Sequence, residues 1–413
     1  MQRPPLLAVF ALSLVALGSG ACQSSRRQAW YEYRDGEHTR ALARWTRLAQ
    51  DGDAEAQYMV GLMHDEGQGV PADATAAARW YALAAEQGHA PAQNNLGLCH
   101  YEGRGVERDL DQAARWLARS AEQGFAKAQT NRGVLFLFGH GVEADHEHAR
   151  TLLRLGAAGG DARAPQLLGT IYLEGVGVEA DDAAAAGGLA QAAERGQANA
   201  QLRLGLMHLA GRGVPADDDR AAELVRAAAE QGLAAAEAAL GGLHLDGRGV
   251  PASDSAAARW FARAAELGHA PAQTCLARLH LEGRVHGGSD RQAAHWLRDA
   301  SEAGFAPAQF DLAVLLLQGR GVERDPERAV AWLRRAAEAG HVPAQRRLAQ
   351  ALEHGVGTAR DEVAACTWYA VAAEAGDEVA ASERERLART MYPSRVAEAE
   401  AQAVRWRRER DSR

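Results

Sequence analysis

The chain has 413 residues, 47% of them hydrophobic but only 6% aromatic. Much of the apolar fraction is alanine, which argues against large single cores and for many short, closely packed helices. A net charge of -8 with both signs interspersed argues against a broad nucleic-acid footprint, and Cys22, Cys99, Cys275 and Cys366, with no CxxC pair, do not make a disulfide framework.

The first element is a leader, Met1 to Ala21. It carries a cation at Arg3, an apolar run from Leu6 to Leu17, then the small residues Gly18, Ser19, Gly20 and Ala21. The run is too short to span a bilayer comfortably. A cysteine directly after small residues resembles the lipobox of bacterial lipoproteins, with Ser19 where that family usually has leucine. The resemblance implies acylation of Cys22, cleavage before it, and, because Gln23 is not aspartate, an outer-membrane lipoprotein facing the periplasm. The alternative is an ordinary cleavable signal and a soluble periplasmic or secreted chain.

From Ala54 to Asp377 the sequence repeats nine times with a period of 36 residues and no insertion. One alanine recurs on the first helix of every unit, from Ala56 and Ala92 to Ala344. Glycines recur at the predicted ends of both helices, Gly67 to Gly355 and Gly88 to Gly376, where a positive φ closes a helix. Between the helices runs a loop such as Gly67-Gln68-Gly69-Val70, followed by a capping aspartate such as Asp73, Asp109 or Asp325. Pro91, Pro271, Pro307 and Pro343 fit the first turn of a helix. Ala77, Trp80, Tyr81 and Ala84 follow helical spacing and predict one buried face, against which Ala56, Val60 and Met63 pack with Gly61 allowing a close crossing.

The unit AEAQYMVGLMHDEGQGVPADATAAARWYALAAEQGHA resembles a Sel1-like repeat, a relative of the tetratricopeptide repeat with a longer inter-helix loop. The resemblance covers roughly four-fifths of the chain and implies an all-α fold, a right-handed α-solenoid of helix-turn-helix repeats. It divides the chain into signal peptide 1–21, anchor segment and incomplete opening unit 22–53, nine repeats 54–377, and capping helices 378–413. In the opening unit Ala41, Trp45 and Leu48 share a face; the basic run Arg405, Arg407, Arg408 and Arg410 at the far end complements a helix dipole.

His64, His100, His208, His244 and His280 share one repeat position, so successive rings stand roughly 10 Å apart and cannot share one metal. Half-buried rings meeting polar partners are expected instead, and no metal or other cofactor. Trp80, Trp116, Trp260, Trp296, Trp332 and Trp368 likewise share a position, expected to be core rather than a sugar-stacking platform. Repeat 4 weakens its second helix with Gly187 and Gly188, and repeat 7 breaks the loop pattern with Gly283-Arg-Val-His-Gly-Gly-Ser-Asp. No HExxH, P-loop or GxSxG occurs.

Outward positions of the first helices vary: Tyr58, Asn94, Asn95, Asn131, Arg203, Arg278, Phe310, Asp311, Arg346 and Arg347. Their amide, guanidinium and aromatic groups suit a polypeptide partner. The expected function is a non-enzymatic scaffold or adaptor for envelope proteins, held at the membrane by the lipid on Cys22. The alternative is an envelope enzyme or polysaccharide-binding protein acting on cell-wall or capsule glycan.

Overall fold

In the computed structural model, residues 20–285 and 287–411 are described, and these residues form 22 α-helices and no strand. The expected leader lies outside them apart from Gly20 and Ala21, as does the side chain of Cys22. Two compact units divide the chain, one ending at Ala192 and the other beginning at Ala193.

Each repeat is a pair of helices of 12 or 13 residues, too short to be stable alone, joined by the predicted loop. In repeat 1 the first helix, Ala54–Glu66, starts where the Asp53 carboxylate accepts from the Ala56 amide, and stops at Gly67 with φ 69°. Asp73 then caps the second helix, Ala74–Glu86, through the Ala76 amide at 2.9 Å. The prolines at 91, 271, 307 and 343 occupy the first helical turn, as their missing N–H requires.

The second loop glycine does a different job from the first. A Cβ at Gly105 would lie 2.0 Å from the carbonyl oxygen of Ala74 in the preceding repeat, and one at Gly249 would lie 1.9 Å from that of Asp218. The loop thus lies directly on the start of its neighbour's second helix. Repeat 7 has Val285 at this position, and the positive φ moves to Gly287, where an added Cβ would meet nothing within 4 Å. Val285 instead packs against the buried face of repeat 6 that includes Ala257 and Ala258, and Arg284 beside it still reaches Asp254.

Inside each pair the crossing is as close as predicted: a Cβ on Gly61 would meet the Tyr81 ring at 2.7 Å, and one on Gly97 would meet Leu117 at 2.8 Å. The largest fully buried side chains of the second helices are Tyr81, Leu117, Leu153, Leu189, Leu297, Leu333 and Tyr369. The tryptophans one position earlier are less buried than expected. Trp80, Trp116, Trp260, Trp296 and Trp332 are half-buried and only Trp368 is buried, because their neighbour in sequence already points into the crossing. Three of these indoles carry the guanidinium of Arg119, Arg263 or Arg335 on a face, 4.6–4.8 Å from the ring centre.

The ends differ from the repeats. The opening unit has both helices, Gly20–Arg34 and His38–Gln50, joined only by Asp35-Gly36-Glu37, with Ala29 and Trp45 buried between them. At the other end Asp377 caps Glu378–Ala388, and Pro393–Asp411 lies along the second helix of repeat 9. There Trp406 meets Trp368 edge-on at 5.5 Å, and Arg407 pairs with Glu374 at 2.8 Å. Among the described residues no helix is long and apolar enough to cross a membrane.

Candidate partner-binding face

The variable positions of the first helices separate into two groups, one in each compact unit. In the first, the side chains are largely spent on each other. The Tyr58 ring rests on His89 at 4.9 Å, and burial, helped by Glu55 and Glu66, pushes its hydroxyl up to about 12. Asn94 is 3% exposed and Asn131 8%. Asn94 donates to Asn95 at 3.1 Å, Asn131 donates to Asn94 at 2.8 Å, and Arg163 donates to Asn131 at 2.8 Å. The outward placement expected for Asn94 and Asn131 is therefore corrected: they form a buried amide ladder tying repeats 2, 3 and 4 together. An unpaired amide in that position would cost more than it could return to a partner.

In the second unit Arg278 and Arg347 are exposed, whereas Phe310, Asp311 and Arg346 are half-buried. Arg203 is half-buried. Arg278 is exposed and holds Asp311 through Nε at 2.8 Å, and Arg346 holds Asp377 in the same way at the same distance. Among the described residues no hydrogen bond engages the Nη groups of either, so each carboxylate braces one edge of a guanidinium and leaves the other free. Phe310 lies 5.2 Å from the His341 ring, and Arg347 is exposed, touching Gln350 at 3.1 Å. Burial keeps the His341 imidazole below its usual value, against the pull of the Asp311 carboxylate and with the push of Arg278. A braced guanidinium with a free edge suits two-point contact with a carboxylate or successive carbonyls.

Two sets of residues escaped the sequence reading. The first is a glutamine that follows the recurring alanine: Gln57, Gln93, Gln273, Gln309 and Gln345 are at most 6% exposed. Each donates Nε2 to the carbonyl eight residues back, at the end of the preceding repeat's second helix, over 3.0–3.1 Å. The Ala-Gln dipeptide, at the same place in seven of the nine repeats, was the available signal. The second is a loop arginine. Arg248, Arg284 and Arg320 reach back to Asp218, Asp254 and Asp290 in the preceding repeat, at 2.6, 2.6 and 2.8 Å, and these hydrogen bonds hold the three carboxyls below the usual range.

All five histidines of the repeated position are half-buried. Nδ1 donates to the carbonyl of Pro215 from His208 at 3.2 Å and to that of Pro251 from His244 at 3.1 Å, whereas the buried Nδ1 atoms of His64, His100 and His280 meet no polar partner. No cluster of three or more His, Cys, Asp or Glu suited to a metal occurs among the described residues. Cys99, Cys275 and Cys366 are free thiols raised by burial, Cys99 to about 11. A groove of about 740 Å³ between the second helices of repeats 7 and 8 is lined by Arg291, Arg298, Arg328 and Trp332 but equally by Glu302, Glu323 and Glu327, so it shows no preference of charge.

The family model for the Sel1 repeat matches nine times, at 54–89, 90–125, 126–161, 166–197, 198–233, 234–269, 270–305, 306–341 and 342–377. The chain belongs to the Sel1 repeat family. Sel1 repeats indicate a protein–protein interaction scaffold, and the paired helices are those of the family's solenoid. Two solved structures are similar over most of their length. One is c5321, a protective antigen of uropathogenic Escherichia coli with an SLR fold, at 30% identity and TM-score 0.57, covering 94% of this chain and 92% of that one. Another is a Sel1 repeat protein from Oxalobacter formigenes, also at 30% identity and TM-score 0.57, covering 81% and 90%. No curated protein matches the sequence.

Proposed function

We propose that this Sel1 repeat protein is a non-enzymatic scaffold of the bacterial cell envelope, exported by the Met1–Ala21 leader and anchored in the outer membrane by a lipid on Cys22. It gathers envelope proteins on the first-helix face of repeats 7 to 9. The observation that carries the binding part is the pair of braced guanidiniums, Arg278 on Asp311 and Arg346 on Asp377, each with a free edge, beside the exposed Arg347. Such groups hold an extended polypeptide by its carbonyls and carboxylates without large apolar pockets. Tyr58, Asn94, Asn95 and Asn131 contribute by stiffening repeats 1 to 4.

The test is affinity capture from solubilised envelope with the full chain and with a Arg278→Ala/Arg346→Ala/Arg347→Ala variant. Discrete envelope proteins recovered by the first and lost by the second are expected. Capture unchanged by the triple substitution refutes the assignment of this face, and binding of a labelled capsule or cell-wall glycan without any protein refutes the scaffold. Anchoring is tested separately by fatty-acid labelling: Cys22→Ser should abolish label and release the chain from the membrane fraction, and a variant still labelled and sedimenting refutes it.

A further inference from the structure

Repeat 3 carries a charge at a core position. Three residues beyond the place of the glutamine that clamps a repeat to the one before it, eight of the nine repeats have a valine or leucine. Val60, Leu96, Leu240 and Leu348 are examples, none more than 3% exposed. Repeat 3 has Arg132 there. A guanidinium at a core position is costly unless it is well paired, and this one is not. Its Nη1 lies 3.6 Å from the carboxylate of Glu122, itself 68% exposed, and the cation stands 5.7 Å from the centre of the Phe136 ring.

Arg132 lines a cavity of about 270 Å³ bounded by the second helix of repeat 2, Leu110–Glu122, the first helix of repeat 3, Ala126–Phe138, and the loop that follows it. Ala114, Leu135 and Val142 supply apolar wall, and Arg115 and Asp111 stand beside them. Among the described residues neither guanidinium makes a hydrogen bond. The equivalent groove of repeats 7 and 8 has Leu312 in place of Arg132. We infer that the cavity between repeats 2 and 3 binds a carboxylate carried on a short aliphatic group, free or as the last residue of a polypeptide. Arg132 and Arg115 hold its two oxygens through charge-assisted N–H donors, and its aliphatic part lies on Ala114, Leu135 and Val142. The exposed Glu122 is the competitor that the ligand displaces from Arg132. The site is independent of the partner face on repeats 7 to 9, so the two can fail separately.

Titration calorimetry of the full chain with two probes, N-acetyl-leucine and an acetylated Ala-Ala-Leu peptide, tests this. Tighter binding of the peptide assigns a polypeptide terminus, and equal or tighter binding of the amino acid assigns a free carboxylate. Amidating the C-terminus of the peptide should weaken binding about ten-fold or more, the loss of a charged hydrogen-bond acceptor. Arg132→Leu restores the residue of the other repeats, should melt no lower than the natural chain, and should abolish binding. Arg115→Ala should weaken binding about ten-fold, and Glu122→Gln, which removes the competitor, should strengthen it. Binding undiminished by amidation or by Arg132→Leu overturns the inference, as does the absence of binding by both probes at millimolar concentration.

Discussion

Ala303→Gln should stabilise the protein, although Ala303 is an exposed residue at a helix end. In repeats 1, 2 and 5 the clamp glutamine is itself clamped: Gln87, Gln123 and Gln231 donate to Gln57, Gln93 and Gln201 at 2.7, 2.7 and 2.8 Å. Repeats 7, 8 and 9 have Ala303, Ala339 and Ala375 at the donor position, and the buried Oε1 atoms of Gln273, Gln309 and Gln345 meet no partner. The backbone already suits the exchange, since Ala303 has φ -70° and ψ -2° against -80° and 2° at Gln87. Supplying the donor removes a penalty of roughly 1–3 kcal/mol for an unpaired buried acceptor. Ordering the new side chain takes back up to about 1.5–2 kcal/mol. The net gain should be about 1 kcal/mol at this site, and a triple variant with Ala339→Gln and Ala375→Gln should gain more than any single one. Urea unfolding followed by fluorescence of the nearby Trp296, Trp332 and Trp368 measures it. Ala303→Met is the control, matching the length without the amide. If the methionine variant gains as much, the hydrogen-bond argument is wrong and the effect is burial alone.

Gly249→Ala should be among the most damaging single substitutions, costing roughly 3 kcal/mol or more. It forces a Cβ to 1.9 Å from the Asp218 carbonyl oxygen at a φ of 63°, while Gly232→Ala, at φ 80° with nothing within 4 Å, should cost only about 1 kcal/mol in the same thermal melt. Acidification should weaken the second unit. Burial holds His269, His280 and His341 below the ordinary value of 6.5, so their contribution is complete above that pH and is lost as pH falls through the lower folded-state values. His269 also accepts the Ala272 amide through Nδ1 at 3.2 Å, a bond that protonation removes. A urea midpoint that is lower at pH 5.5 than at 7.5, with part of the difference abolished by His269→Asn, is expected, and a midpoint that rises on acidification would contradict it. Acrylamide quenching should resolve two classes of tryptophan, and Trp45→Phe should remove much of the protected class, because Trp45 is fully buried and most of the repeat indoles are half-exposed.

Helix positions, caps and loop glycines were legible in the sequence because they are local. A glycine at φ 69° after a helix, an aspartate before one and a proline in its first turn act through the few residues around them, and repetition printed each signal again every 36 residues. The pairing of Gly61 with Tyr81 was legible too, since only one register lets a bulky side chain face a glycine. Depth was less so. Trp80 and Tyr81 both lie on the apolar arc, and only the crossing of the two helices decided that Tyr81 goes fully inside while Trp80 stays at the edge.

The candidate site was legible as a set of positions, not as a set of contacts. Asn94 and Asn131 look like Arg278 and Arg346 in sequence, each a polar residue at a variable place on a first helix. In the tertiary structure the asparagines, being short, meet each other across consecutive first helices and are consumed. The longer arginines reach the carboxylate at or near the start of the next first helix in the stack, Asp311 on repeat 8 and Asp377 at the cap of Glu378–Ala388, and still present a free edge. Which polar groups are left for a partner depends on side-chain reach across a gap between helices that are neighbours in space and about a repeat apart in sequence. The sequence alone determined the period, the helix ends and the family; how near one repeat lies to the next, and so which groups remain to bind, was decided by the stacking.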